Sequence, residues 1–355
     1  MRLWMGVILI TLLTLAITYS STSNPGHVGI FGEDPERDTV EYSDEVSIAE
    51  EGSLREGGSV PVGSVVEEPA TDLPVENEVP EYEETTDEKE EVQLPHQKPV
   101  EIPAENQSVT FAEMFDEPFV IKESGRMGRS SSDSWWVSSG GYFYSVGGIG
   151  STIIGDLPEY DERRTTYAKT NPRDTDNGFH PQNIFRLVQK DTWENSVQEA
   201  YFRIVGNNFS DSKYRNQSNG LLFFNRYQDQ FNLYYVGIRV DGHATIKKKI
   251  NGVYYDLSYV PLGTTDEKYD RGDNPSSLPA DVWIGLRSIT ETNDDGVHIS
   301  LYVDWERSGD WELVAEAVDD GKSYGGPVFE EGHAGIRTDF MDVQFDDYSV
   351  TEIEG

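Results

Sequence analysis

From Val109 onward, short runs rich in Val, Ile, Tyr, Phe and Trp alternate with turns rich in Gly, Asn, Asp and Ser. Within the clearest run every second residue is apolar. Tyr234, Val236, Ile238 and Val240 share one parity, while Tyr235 and Arg239 share the other. A period of two sends the two sets to opposite faces of a strand. Strands are therefore expected over 141–147, 198–205, 220–226, 232–240, 243–250, 253–258, 282–288, 297–304, 311–317, 334–338 and 342–352. Asp241-Gly242, Asn251-Gly252, Asp294-Asp295-Gly296, Ser308-Gly309-Asp310 and Asp319-Asp320-Gly321 punctuate them. Asn-Gly or Asp-Gly between apolar runs is a strong hairpin signal. No stretch of a dozen residues keeps a clean helical period, which argues against a βαβ fold. The pattern predicts one all-β, antiparallel sandwich over residues 106–355.

The chain before it reads differently. Arg2 precedes an apolar run from Leu3 to Ile17, and Ser20-Ser21-Thr22-Ser23-Asn24-Pro25 follows. A basic start, an apolar core and small residues behind it make residues 1–23 a signal peptide or a signal anchor. Thr18 and Ser20 stand where a cleavage site needs small residues, without an Ala-x-Ala. Uncleaved, the run is slightly short of the roughly 20 residues of a full span, yet it still anchors. Residues 24–105 carry Pro25, Pro35, Pro61, Pro69, Pro74, Pro80, Pro95, Pro99 and Pro103, and only Phe31, Tyr42 and Tyr82 as aromatics. Such a segment buries too little apolar surface to offset its ordering entropy. It is expected to be a disordered, self-repelling linker or stalk.

Charge sharpens this division. The 355 residues carry 28 Lys+Arg against 65 Asp+Glu, a net charge of -37. Residues 31–105 hold 24 of the acids and 4 of the bases. The remaining net charge of the sandwich region is -18, from 41 acids and 23 bases. A broad basic face for nucleic acid or for an anionic membrane is excluded. Membrane contact is left to the N-terminal segment. With no cysteine there is no disulfide framework, thiolate metal site, cysteine nucleophile or lipoprotein anchor. Three N-glycosylation sequons, at Asn106, Asn208 and Asn216, agree with an extracellular or cell-surface protein.

One regularity marks candidate binding residues. Gly237-Ile238-Arg239, Gly285-Leu286-Arg287 and Gly335-Ile336-Arg337 recur, each inside an expected strand. The aliphatic residue points one way and Gly and Arg the other. Tyr235 falls on the side of Arg239, Trp283 on that of Arg287 and Asp339 on that of Arg337. If the three strands share one sheet, its outer face carries three arginines, aromatics and glycines that leave room against the backbone. An arginine fork fits carboxylate or sulfate, and aromatic faces stack on sugar rings. Arg239, Arg287, Arg337, Tyr235, Trp283 and Asp339 are thus the candidate ligand-binding residues for a glycan, in particular an acidic one. The competing account is cross-strand pairing of each arginine with neighbouring Asp or Glu.

Three stretches resemble a known family. They are Phe111-Ala112-Glu113-Met114-Phe115-Asp116-Glu117 with Trp135-Trp136-Val137-Ser138-Ser139-Gly140-Gly141, then residues 220–239, and then Gly332-His333-Ala334-Gly335-Ile336-Arg337-Thr338-Asp339 with residues 343–350. Together they are similar to the jelly-roll sandwiches of the concanavalin A-like lectin/glucanase superfamily. Within it they most resemble LamG-like and 3-keto-disaccharide-hydrolase-like (family 16 glycosidase-related) domains. The resemblance implies first and last strands side by side, with a structural Ca2+ near Glu113, Asp346 and Asp347. It says little of activity, because one fold hosts many functions.

Catalytic signatures are weaker. Glycoside hydrolysis generally needs two carboxyls flanking the bond, and the Glu-x-Asp-x-x-Glu of sandwich glucanases is absent. Glu113, Asp116 and Glu117 have the wrong spacing, and Asp339 and Asp342 are three apart, on opposite faces of a regular strand. No two of the six histidines are spaced as a metal pair. His333, Arg337 and Tyr235 can be cast as a polysaccharide-lyase set, but nothing in the sequence brings them together. The leading expectation is an exported, surface-tethered glycan-binding or adhesion module without catalysis. A carbohydrate-active hydrolase or lyase, and a structural envelope protein, are the alternatives.

Overall fold

The computed structural model describes residues 107–263 and 268–353. The expected N-terminal signal and acidic stalk, and the sequon at Asn106, lie outside the described residues.

Two antiparallel sheets face each other. The first runs β14 (Glu312–Asp319), β13 (Gly296–Trp305), β12 (Trp283–Asn293), β7 (Ser196–Asn207), β16 (Met341–Ile353), β5 (Gly150–Ser151), β4 (Tyr142–Ser145) and β2 (Phe119–Lys122), and β1 (Gln107–Glu113) also pairs with β16. The second runs β11 (Val253–Pro261), β10 (His243–Ile250), β9 (Asn232–Arg239), β8 (Gly220–Asp229), β15 (Gly332–Asp339), β6 (Ile184–Trp193) and β3 (Trp135–Ser139). First and last strands are neighbours, with Gln107 opposite Ile353. This sandwich is the all-β architecture the residue pattern predicts, and it fits the concanavalin A-like resemblance.

Alternation builds the core. Leu221, Phe223, Val236, Ile238 and Ile336 point from the seven-stranded sheet toward Phe202, Leu286, Val303 and Phe345 of the nine-stranded one, all fully buried. Phe185 stacks on Phe345 with centroids 5.8 Å apart. The Asn251-Gly252 hairpin joins β10 to β11 with both residues at positive φ, 51° and 83°, as a two-residue turn matched to strand twist requires.

Three features escape the period-two reading. First, β16 contains a bulge between Asp346 and Ser349, with Asp347 at φ 47°. The extra residue shifts the inward set from Val343 and Phe345 to Tyr348 and Val350. Second, β6 buries both faces, so Phe185, Leu187, Val188 and Gln189 are all inaccessible and no alternation shows. Third, a helix α1 (Glu162–Thr170) lies between β5 and β6, with Asp161 as its cap accepting from the Arg163 amide at 2.8 Å. Only Tyr167 of this helix is buried, so it has no apolar stripe to read.

Candidate functional site

The register of the seven-stranded sheet sets out its outer face row by row. Arg337 on β15 stands opposite Arg186 on β6 and Leu222 on β8, and Leu222 opposite Gly237 on β9. One row along, Trp136, Val188, Gly335, Phe224, Tyr235 and Lys247 are partners in turn. Beyond them Lys249 on β10 is opposite Tyr254 on β11. In the other direction Asp339 ends β15, and Arg239 on β9 is opposite Gly220. The face is thus cationic and aromatic, in a chain whose net charge is -37.

Its centre is a hydrogen-bonded cluster. Arg337 Nε donates to both Asp339 oxygens at 3.0 and 2.8 Å, and Nη1 donates to the Tyr235 hydroxyl at 3.1 Å. Its Nη2 takes no hydrogen bond within the described residues. Tyr235 stacks on Tyr254 at 5.9 Å and meets Phe224 edge-on at 5.5 Å. Lys249 lies 4.8 Å over the Tyr254 ring. Burial works against the charged Arg337, but Asp339 outweighs it and the guanidinium pKa rises well above its ordinary value. Burial pushes the Tyr235 phenol up. Burial would also raise Tyr254, yet Arg337 and Lys249 beside it outweigh that and hold its phenol below the usual value. A phenol held down this way reports a positive local potential.

The expected residues divide between two surfaces. Arg337, Tyr235, Asp339 and Arg239 share the outer face of the seven-stranded sheet. Arg287 and Trp283 do not, because β12 belongs to the other sheet, so the premise of three Gly-x-Arg strands in one sheet is corrected. The third arginine beside Arg337 is instead Arg186, which has Ile184 where the recurring tripeptide has its glycine and so falls outside it. Trp136, Lys249 and Tyr254 were likewise missed. The signal available was the Arg186–Val188 parity of β6, masked by burial on both faces.

Each expected arginine has a carboxylate partner. Arg239 pairs with Asp241 at 2.7 Å beneath the Tyr259 ring. Arg287 pairs with Glu199 and stacks on Trp311 at 4.1 Å. The glycines do not leave open room either. A Cβ on Gly285 would meet Tyr201 at 2.8 Å and Trp311 at 2.9 Å, and one on Gly237 would meet the Leu221 carbonyl at 2.1 Å. They admit the protein's own rings and neighbouring strands.

The carboxylates expected to hold Ca2+ do not fit that ion. Asp346 and Asp347, turned outward together by the β16 bulge, both pair with Arg307, Asp346 at 2.6 Å. Glu113 accepts instead from the Phe115 amide at 3.0 Å. The guanidinium already supplies the positive charge, and the described residues contain no group of three metal-ligating side chains. Asp339 and Asp342 make no acid pair: Asp342 accepts from Gly155, Gln182 and Asn208 at 2.6, 2.9 and 2.8 Å. His333 Nδ1 donates to the Asp191 carbonyl at 3.1 Å, and the ring lies beside Tyr227, separated from Tyr235 by the Phe224 ring. The lyase set is therefore not assembled.

No family model and no curated protein matches the chain. Among solved structures it is similar to the carbohydrate binding module CBM66 from Bacillus subtilis, at 13% identity and a TM-score of 0.37 over 62% of this chain and 96% of that one. It is similar to winged bean acidic lectin complexed with methyl-α-D-galactose, at 9% identity and a TM-score of 0.37 over 67% and 99%. It is also similar to the GH43 protein BlXynB from Bacillus licheniformis, at 11% identity and a TM-score of 0.38 over 68% and 39%.

Proposed function

We propose that this protein is a glycan-binding module that takes acidic saccharides on the outer face of its seven-stranded sheet. The carrying observation is the pair Arg337 and Arg186, side by side across β15 and β6 and flanked by Trp136, Tyr235 and Tyr254. Two guanidinium groups side by side give this row a positive field that suits uronate or sulfate groups, although Arg186 Nη1 also donates to Ser139 Oγ and the Ile184 carbonyl at 3.1 and 3.2 Å, and the aromatics offer sugar rings an apolar platform. The N-terminal apolar run and the acidic segment would export the domain and hold it at the cell surface.

The test is a glycan array probed with the full chain at two salt concentrations. Alanine at 337 would strand Asp339, which is 3% exposed, so Arg337→Lys is the useful variant because it keeps the charge and loses the fork. Salt-sensitive binding to acidic glycans, weakened about tenfold or more in Arg337→Lys, is expected. Equal binding by the variant overturns the assignment of the face. No binding to any glycan moves the account to a structural role, and degradation of an arrayed glycan to an enzyme.

A further inference from the structure

A second cluster lies at one end of the sandwich, outside the sheet face. A cleft of about 840 Å³ is lined by Arg173, Arg215, His180 and Phe209, with Asp176 and Asp211 among its acids. Phe209 is 60% exposed, unusual for so large an apolar ring, and Arg215 lies 5.6 Å beneath it. Arg215 is buried, yet only main-chain oxygens hold it: Nε donates to the Ser210 carbonyl at 2.7 Å and Nη1 to that of Arg271 at 2.8 Å. Arg271 is held likewise, by the Ser210 and Ser212 carbonyls at 3.4 and 2.7 Å. Among the described residues, neither guanidinium, nor that of exposed Arg173, has a carboxylate within ion-pair distance. In so acidic a chain that is unusual. The cleft's own acids are partly spent, because His180 bridges Asp176 at 2.9 Å and Asp156 at 2.8 Å through its two ring nitrogens.

Arg215 lines both this cleft and a small cavity shared with Asp339, the residue that holds Arg337.

We propose that the cleft is a further subsite for the same acidic saccharide, with Arg173 and Arg215 taking a carboxylate or sulfate and Phe209 stacking on a sugar ring. This rests on the sheet face being the primary glycan site. A ligand of several units would run from Arg337 past Asp339 into the cleft, whereas a two-unit ligand would fill the sheet face alone. Charge-assisted hydrogen bonds and a stacked ring are each worth enough to change affinity about tenfold.

The test compares dimers with octamers, using galacturonate oligomers and sulfated malto-oligomers, by calorimetric titration of the full chain. Both substituted positions of Arg173→Ala/Phe209→Ala are exposed, so the variant is expected to fold as the parent does. It should bind the octamer about tenfold or more weakly and the dimer unchanged, while Arg337→Lys weakens both. An octamer affinity unchanged in the double variant overturns the subsite and leaves the sheet-face reading standing. A parent that binds no oligomer overturns both.

Discussion

Lys248 on β10 and Asp319 at the end of β14 form an ion pair with no exposure of either side chain, Nζ to Oδ2 2.7 Å. The ammonium also donates to the carbonyls of Gly326 and Pro327 at 2.9 and 2.8 Å, so its three protons are all used. Asp319 accepts in addition from the Tyr234 hydroxyl at 2.6 Å and the Gly321 amide at 3.0 Å. This network joins the two sheets at the edge of the sandwich. Asp319→Leu leaves a buried ammonium facing two carbonyls and a tyrosine without its acceptor. Stranding one charge of such a pair costs about 3–5 kcal/mol. By contrast Lys122–Glu162, 3.1 Å apart and 59% and 71% exposed, is worth at most about 1 kcal/mol. Urea unfolding of Asp319→Leu, Lys248→Met and Lys248→Met/Asp319→Leu measures the buried pair, and Glu162→Ala the exposed one. The double substitution should cost clearly less than the sum of the singles, because it leaves no charge stranded. A single substitution in the buried pair costing under about 1 kcal/mol, or strict additivity, refutes the reasoning.

Three further outcomes are expected. The Asp176 hydrogen bond raises the His180 pKa against burial, with Asp156 adding to it; the stabilising effect is therefore full below the unfolded value of about 6.5 and lost as pH rises through the folded one. Urea midpoints of parent and His180→Asn should differ in acid and converge in mild alkali, and a constant difference would contradict this. Gly285→Ala should destabilise by about 1–3 kcal/mol, since its Cβ meets rings that Asp304 and Arg287 help to hold; an unchanged melting temperature would show that the rings yield freely. Ultraviolet titration should find one phenol ionising below the ordinary value of about 10, and Lys249→Met should move it upward. No such early phenol would mean that the sheet face is less positive than described.

Much of the sandwich is legible from the alternation of residues. The hairpins at Asp241-Gly242 and Asn251-Gly252, and the strands on either side of them, follow from local rules. What fails are places where tertiary burial covers both faces, as in β6, or where one extra residue changes phase, as at Asp347. The binding face is only half legible for the same reason. Parity put Tyr235 with Arg239 and Asp339 with Arg337, but parity says nothing of which strands share a sheet, and the tripeptide resemblance wrongly joined β12 to β9 and β15. Arg186 carries no local mark and becomes visible only when β6 is laid beside β15. The Asp346-Asp347 pair looked like an oxygen site for a cation. Among the described residues both carboxylates pair with Arg307, nearly forty residues earlier, delivered by a turn after β13.

The central claim is that acidic saccharides meet Arg337 and Arg186. Side-chain Nε–Hε resonances of arginine, followed by NMR while a galacturonate oligomer is added to the full chain, test it directly. The account predicts saturable shifts at Arg337 and Arg186, with Arg287 and Arg307 on the opposite sheet unmoved. Shifts confined to Arg287 and Arg307, or none at any arginine at saturating oligomer, would contradict it.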